Sequence, residues 1–353
     1  MNILKKYAKR YFIDAMGAMA LGLFASLLIG TIFKALGMIP GLSVLADIGG
    51  WAQAVAGPAM AAAIAYSLKA APLVIFSAAG VGWAANSLAG AGGPLAVFFI
   101  AILAVEAGGL VSKRTKVDII VTPFVTLLTG GLLSAWVAPL IGKLIGYVST
   151  FIGWATLQAP FVCGIIIAVV IGMALTLPIS SAAICAGLVM TGCAAAQGSS
   201  EGLALAGGAA VAGCCAQMIG FAVISYRDNG VGGLLSQGIG TSMLQMPNII
   251  RNPRIWIPAT LASAVTGPLA TCLFRMRMYG AAINSGMGTC GLLGPIGIVL
   301  GWLDPSNGYP DAVGAWDWIG LALICFVLPA ILSTLFYLIL RRIGWIKDGD
   351  MKL

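Results

Sequence analysis

Histidine is absent from the chain. Its absence excludes imidazole metal ligands, imidazole general bases and any phosphohistidine carried on these residues. Charge is nearly as scarce. Asp, Glu, Lys and Arg make up 8% of the 353 residues, where a soluble domain carries about a quarter. No hydrophilic stretch is long enough to fold as a separate soluble domain. The eight cysteines form no CxxC pair, so neither a zinc site nor a disulfide framework is indicated, and they read as small buried hydrophobes. There is also no glycine-rich phosphate loop followed by Lys, and no nucleophile–base pair. A soluble enzyme is therefore excluded, and no cofactor or metal is expected. The net charge of +8 lies in short loops, which fits the positive-inside pattern of membrane proteins and leaves no basic domain for nucleic acid.

What the chain does contain is apolar. Hydrophobic residues make up 60% of it and the mean hydropathy is +1.02. At about 20 apolar residues per crossing, the expectation is an all-α polytopic membrane protein with about eight to ten transmembrane helices plus re-entrant hairpins. Lys5, Lys6, Lys9 and Arg10 precede an apolar run to about Phe33 that has no clear cleavage site, so this run reads as a retained first span. Further runs are expected at Trp51 to Leu68, Pro72 to Leu88, Pro94 to Val111 and Ile119 to Leu140, with Lys69 and the KRTK cluster at Lys113 to Lys116 on the inner side. Glu106 lies close enough to that cluster for pairing or snorkelling to explain it as well as function does. Ile141 to Gln158, with Lys143, Tyr147 and Trp154, reads as an amphipathic interfacial helix or bent connector. The run from Ile255 to Phe274 is flanked by basic groups at both ends, so a simple crossing would put one of them outside. The last span, Trp318 to Leu340, leads back to an inner basic cluster, and both termini are expected in the cytoplasm.

The stretch from Thr176 to Asn252 differs from the rest. Gly, Pro, Ser, Gln and Asn cut its apolar runs into short pieces, including Ala182 to Ala196, Gly202 to Ile224 and Gly230 to Met246. Interrupted backbone at membrane depth is tolerated where protein or a water-filled cavity satisfies its polar groups, and carriers build solute sites this way. Glu201, far along the chain from any basic cluster, is the foremost candidate, because intramembrane carboxylates are costly and functional by default. Gln197, Ser199 and Ser200 add donors and acceptors suited to hydroxyl groups. The alternative for QGSSEG is a hydrated loop. Ser180 and Ser181, after Pro178, either cap the next helix or face a solute. Gln217 and Asn284 (like Gln237, Gln245, Asn248 and Ser285) serve either interhelical hydrogen bonding or solute binding. Arg227-Asp228-Asn229-Gly230 reads as a turn with a local ion pair. SSAAICAG at Ser180 and GAAINSGMGTCG at Gly280 form a faint echo, each placing small residues after a break.

Three stretches carry a resemblance: LTLPISSAAIC, YRDNGVGGLLSQGIGTSMLQMPNIIRNP and GAAINSGMGTCGLLGPIGIVLG. Over most of its length the chain resembles the enzyme IIC-like membrane proteins of the bacterial sugar phosphotransferase system, in particular a stand-alone branch that includes putative clostridial toxin-regulator proteins. The resemblance implies a homodimeric permease in the bacterial plasma membrane. It would take up a sugar for phosphorylation by cytoplasmic IIA and IIB partners, as the membrane subunit of a sugar phosphotransferase whose phosphoryl donor sits on a partner chain. It also implies a scaffold or dimerisation part at 1–158, a substrate-binding part with re-entrant hairpins at 159–302, and an external loop with the last span at 303–353. Glu201 lies where the family's sugar-binding glutamate would be sought, although the Thr-Glu motif of better-known members is missing. Two other readings stay open at this point: a membrane sensor or regulator that keeps the fold without coupled transport, and an ion-coupled carrier of another small solute.

Overall fold

The computed structural model describes residues 9–37, 41–177, 181–192, 200–303 and 312–353. Among them the regular structure is helical. Seven helices are long and apolar enough to cross a bilayer, or eight if one bent pair counts as a span, and Pro160–Thr176 and Cys290–Leu303 are shorter apolar helices. By its contacts the chain divides into two compact units, 1–148 and 149–353.

Unit 1 holds α1 (Ala15–Leu23), α2 (Ile29–Gly37), α3 (Ser43–Ala54), α4 (Ala56–Ser67), α5 (Pro72–Ala89), α6 (Gly93–Val111) and the start of α7 (Asp118–Gln158). Consecutive helices pack as neighbours: α2 on α3, α4 on α5, α5 on α6. The run expected as one span from Trp51 is two helices, α3 and α4, bent by 50°. Pro58 explains the break, since it has no N–H to offer the Ala54 carbonyl. The expected division of 119–158 into a span and a connector is also corrected. The structure has one 41-residue helix running through Pro123 and Pro139, about 61 Å at 1.5 Å per residue. Each proline forfeits one backbone bond without ending the helix, as membrane helices tolerate. The buried side of α7 is small and hydroxylated, with Thr122, Thr126, Ser134 and Ala138, whereas Phe124, Leu128, Trp136 and Tyr147 are exposed. This is the reverse of a soluble helix and suits a hydrocarbon surround.

Unit 2 continues with α8 (Pro160–Thr176), α9 (Ser181–Gly187), α10 (Ser200–Ile224), α11 (Tyr226–Leu235), α12 (Met246–Arg251), α13 (Ile257–Pro268), α14 (Leu293–Leu303), α15 (Ala315–Ala322) and α16 (Leu328–Arg342). Helix α10 is its axis: 89% of its apolar window is buried, and α8, α13 and α16 all pack on it. Its glycines were expected to interrupt it, yet the helix runs unbroken for 25 residues. They serve close approach instead. A Cβ at Gly207 would stand 2.5 Å from the Met190 carbonyl oxygen, and one at Gly208 would overlap the Met276 carbonyl. Similar backbone-to-backbone approaches join Gly172 to Gly213 and Gly164 to Gly267, the small-residue packing that holds membrane helices together.

Against this smooth face lies irregular chain, without regular structure from Arg275 to Tyr279 and then turning through short 3-10 pieces to α14. Its polar backbone is satisfied from within unit 2. Met278 N–H donates to Ala204 O at 2.9 Å and Gly192 N–H to Met278 O at 2.8 Å. The Ser285 hydroxyl donates to Met190 O at 2.6 Å, Thr191 to Gly280 O at 2.7 Å and Ser181 to Gly286 O at 2.6 Å. The two echoing motifs therefore pack on each other, α9 against 282–286.

Gly208→Ala places a methyl group inside the Met276 carbonyl, so the thermal unfolding midpoint of the detergent-solubilised protein should fall by the equivalent of about 1–3 kcal/mol. Gly232→Ala, where nothing lies within 4 Å, should leave it nearly unchanged.

Candidate solute-binding site

Glu201 stands in the first turn of α10. Along the chain it lies far from any basic cluster, but tertiary structure brings two arginines to it. Arg275 Nη2 donates to Glu201 Oε1 at 2.7 Å and Arg277 Nη2 to the same oxygen at 2.9 Å. The two arginines sit on the irregular segment that follows the Pro253–Leu273 span, Arg275 with a left-handed φ of 44°. The side chains grade inward: Arg275 is 56% exposed, Glu201 40% and Arg277 10%. Among the described residues one carboxylate thus stands between two guanidiniums. This pairing also accounts for the basic group at the second end of the 255–274 run, which here meets an acid instead of marking a loop.

The other sequence candidates fall into three groups. Ser180, Gln197 and Ser199 lie outside the described residues, and Ser200 opens α10. Ser181 and Gln217 are buried and engaged with protein. The Ser181 hydroxyl holds Gly286 O as above. The Gln217 amide accepts from Trp256 Nε1 at 3.0 Å and from Thr176 Oγ1 at 3.3 Å, and donates to Thr260 Oγ1 at 3.3 Å and Ser263 Oγ at 3.5 Å. It ties α8, α10 and α13 together. Asn284 is the exception. It is fully buried against the Gly297 backbone, and neither its Nδ2 nor its Oδ1 has a hydrogen-bond partner. An unsatisfied buried amide costs about 1–3 kcal/mol.

The remaining amides of the PNIIRN region have a different task. Asp228 accepts from Gly349 N–H at 3.1 Å and Met351 N–H at 3.2 Å, and Asn229 donates to Met351 O at 2.7 Å and accepts from Leu353 N–H at 2.8 Å. Gln245 donates to Met351 O at 2.9 Å and Asn248 to Lys352 O at 2.9 Å. Asn252 reaches Asp350 at 2.9 Å, and the Arg254 guanidinium lies over the Trp345 ring. These residues strap the segment after α16 onto 225–254, with Ile346 and Met351 buried beneath it. In the sequence they read as a turn and as interhelical amides, because 100 residues separate them from their partners.

A family model described as "Phosphotransferase system, EIIC" matches residues 13–353. The chain belongs to that family. No curated protein matches it significantly. As an enzyme IIC it is a multi-pass membrane protein and a phosphotransferase-type transport component, a family that in general serves sugars and works with IIA and IIB proteins. Arg275 and Arg277 are the partners of Glu201 that sequence reading missed. The signal that would have found them was a basic pair at the wrong end of an apolar run.

Two tests follow from this geometry. Asn284→Leu replaces an unpartnered amide with an apolar group of the same heavy-atom count and should leave the unfolding midpoint unchanged or raised, whereas Gln217→Leu removes four hydrogen bonds, leaves the Trp256 Nε1–H without its acceptor and should lower stability by about 1–3 kcal/mol. Truncation after Asp348 removes the six hydrogen bonds that Asp228, Asn229, Gln245 and Asn248 make to the strap, each worth about 1 kcal/mol net. Amide exchange at 226–252 should accelerate in that variant.

Proposed function

We propose that this enzyme IIC is a sugar permease whose solute site lies in unit 2, at the start of α10. The observation that carries the reading is the Glu201 carboxylate clasped by Arg275 and Arg277 beside doubly interrupted backbone. A carboxylate accepts hydrogen bonds from vicinal hydroxyls, and a guanidinium donates in a rigid fork. Together they can hold a polyhydroxylated ring. Asn284 supplies the uncommitted amide of the same irregular segment. Gln197, Ser199 and Ser200, which immediately precede Glu201 in sequence, complete the donor set.

Transport by movement of unit 2 relative to unit 1 is part of this reading, supported by the separate compactness of the two units. The homodimer rests on the family resemblance alone.

Purified protein in liposomes, supplied with a panel of labelled sugars and a phosphorylated IIB protein, tests the proposal. Uptake should require the phosphorylated partner. Glu201→Gln should reduce it by about 10- to 100-fold, the equivalent of the ~1.5–3 kcal/mol of a charged hydrogen bond, with the unfolding midpoint retained. Full uptake by Glu201→Gln would overturn the site. Uptake driven by an ion gradient without IIB would overturn the phosphotransferase coupling.

A further inference from the structure

Unit 1 contains a cavity of about 530 Å³ at the ends of α4 and α6, lined by Arg10, Lys69, Glu106, Ser112 and Lys113 among others. Glu106 also forms one wall of an apolar groove of about 330 Å³ along α6, bounded by Tyr11, Phe98, Phe99, Ile102 and Leu103. A polar chamber and an apolar groove thus share a single residue. Both volumes fall within or near the range of about 300–1,000 Å³ typical of ligand sites.

The charges of the chamber are unequal. Arg10 donates to Glu106 Oε1 at 2.7 Å, and the Tyr11 hydroxyl donates to the same oxygen at 2.9 Å. The carboxylate is therefore neutralised and fixed. Lys69 and Lys113 add two further positive charges, so the lining carries three cations against one anion. Asp118 lies beyond the lining and accepts from the Lys113 backbone N–H at 2.7 Å. The Ser112 hydroxyl is buried there without a hydrogen-bond partner.

Both lysines close helices at positions where glycine is the usual residue. Lys69 has φ 59° and Lys113 φ 60°, the left-handed region that costs an ordinary residue about 1–2 kcal/mol. The Lys69 N–H donates to Tyr66 O at 3.0 Å and the Ala70 N–H to Ala65 O at 3.1 Å. This is the helix-ending pattern that glycine normally serves. Cations also suit helix C-termini, but that benefit does not need both lysines to line one chamber.

We propose that unit 1 binds one anionic glycerophospholipid. Its phosphodiester sits among Arg10, Lys69, Lys113 and the Ser112 hydroxyl, and an acyl chain lies along the Phe98–Leu103 face. The Arg10–Glu106 pair stands where headgroup meets chain. Charge selects the class. The chamber's surplus of cations matches a headgroup of net negative charge, and Glu106, already held by Arg10 and Tyr11, is not left to pair the ammonium of a zwitterion. Basic side chains at the ends of membrane helices attract anionic lipid in this way. The inner-side placement expected of both lysines would put the site in the cytoplasmic leaflet. None of these residues belongs to the proposed sugar site.

The experiment uses the full chain, delipidated in a neutral maltoside detergent. Palmitoyl-oleoyl phosphatidylglycerol, phosphatidylethanolamine and phosphatidylcholine are titrated and the retained lipid is counted by native mass spectrometry. One phosphatidylglycerol should be retained in preference to the two zwitterions. Lys69→Gly and Lys113→Gly remove charge while relieving the left-handed backbone, so each should weaken retention by about fivefold with an unfolding midpoint equal to or above that of the parent. Leu103→Trp, which fills the groove, should weaken lipid retention as well. Glycerol phosphate, a soluble source of the same phosphate chemistry, should not compete. Equal retention of all three lipids would overturn the proposal, as would unchanged retention in the double glycine variant. Competition by glycerol phosphate together with indifference to Leu103→Trp would assign the chamber to a soluble phosphate and overturn the lipid reading.

Discussion

Everything in unit 2 depends on how closely bare backbone can approach α10. A helix buried on nearly all sides can accept an irregular, hydrogen-bonding chain beside it only where no side chain intervenes. Gly207 and Gly208 leave that space, and the Met276 and Met190 carbonyls occupy it. The Met278 N–H then reaches Ala204 O, and the hydroxyls of Ser181, Thr191 and Ser285 satisfy carbonyls that would otherwise be stranded. In a lipid-embedded body each stranded group would cost several kcal/mol. The irregular segment is therefore stable as a consequence of this contact, and it delivers Arg275 and Arg277 to Glu201.

The same principle separates the polar residues into two kinds. Gln217, Ser181, Gln245 and Asn248 have their hydrogen bonds met by protein and act as joints between helices or between helix and strap. Asn284 has none met, and Glu201 and its arginines are partly open. A membrane carrier needs both kinds. The joints keep polar backbone at depth without loss of order, and in the proposed reading the second kind meets the solute.

The fold class, the membrane setting and the enzyme IIC family were legible in the sequence because they depend on composition and on runs of apolar residues. Glu201 stood out as a candidate too, since an acid in such surroundings is conspicuous by its cost. Its partners were not. Arg275 and Arg277 lie more than 70 positions away, and nothing local to QGSSEG indicates them. The glycines of α10 were read as interruptions because glycine weakens a helix in isolation. Their effect here is on the neighbouring chain. Likewise the polar and aromatic residues of 141–158 gave a local reason to separate it from the preceding span, and the structure continues one helix through both.

Taken alone, the order of residues determined that this chain must enter a bilayer, that it must do so as helices, and that a few polar groups would be held there at a cost. Those conclusions follow from solvation, which acts on each segment separately. Tertiary structure alone decided which polar groups meet each other and which stay uncommitted. It gave two arginines to Glu201, the strap to Asp228 and Asn229, and two lysines to the chamber at Glu106. Hydrogen bonds and ion pairs act over a few ångströms, and only folding brings residues so distant along the chain within that range.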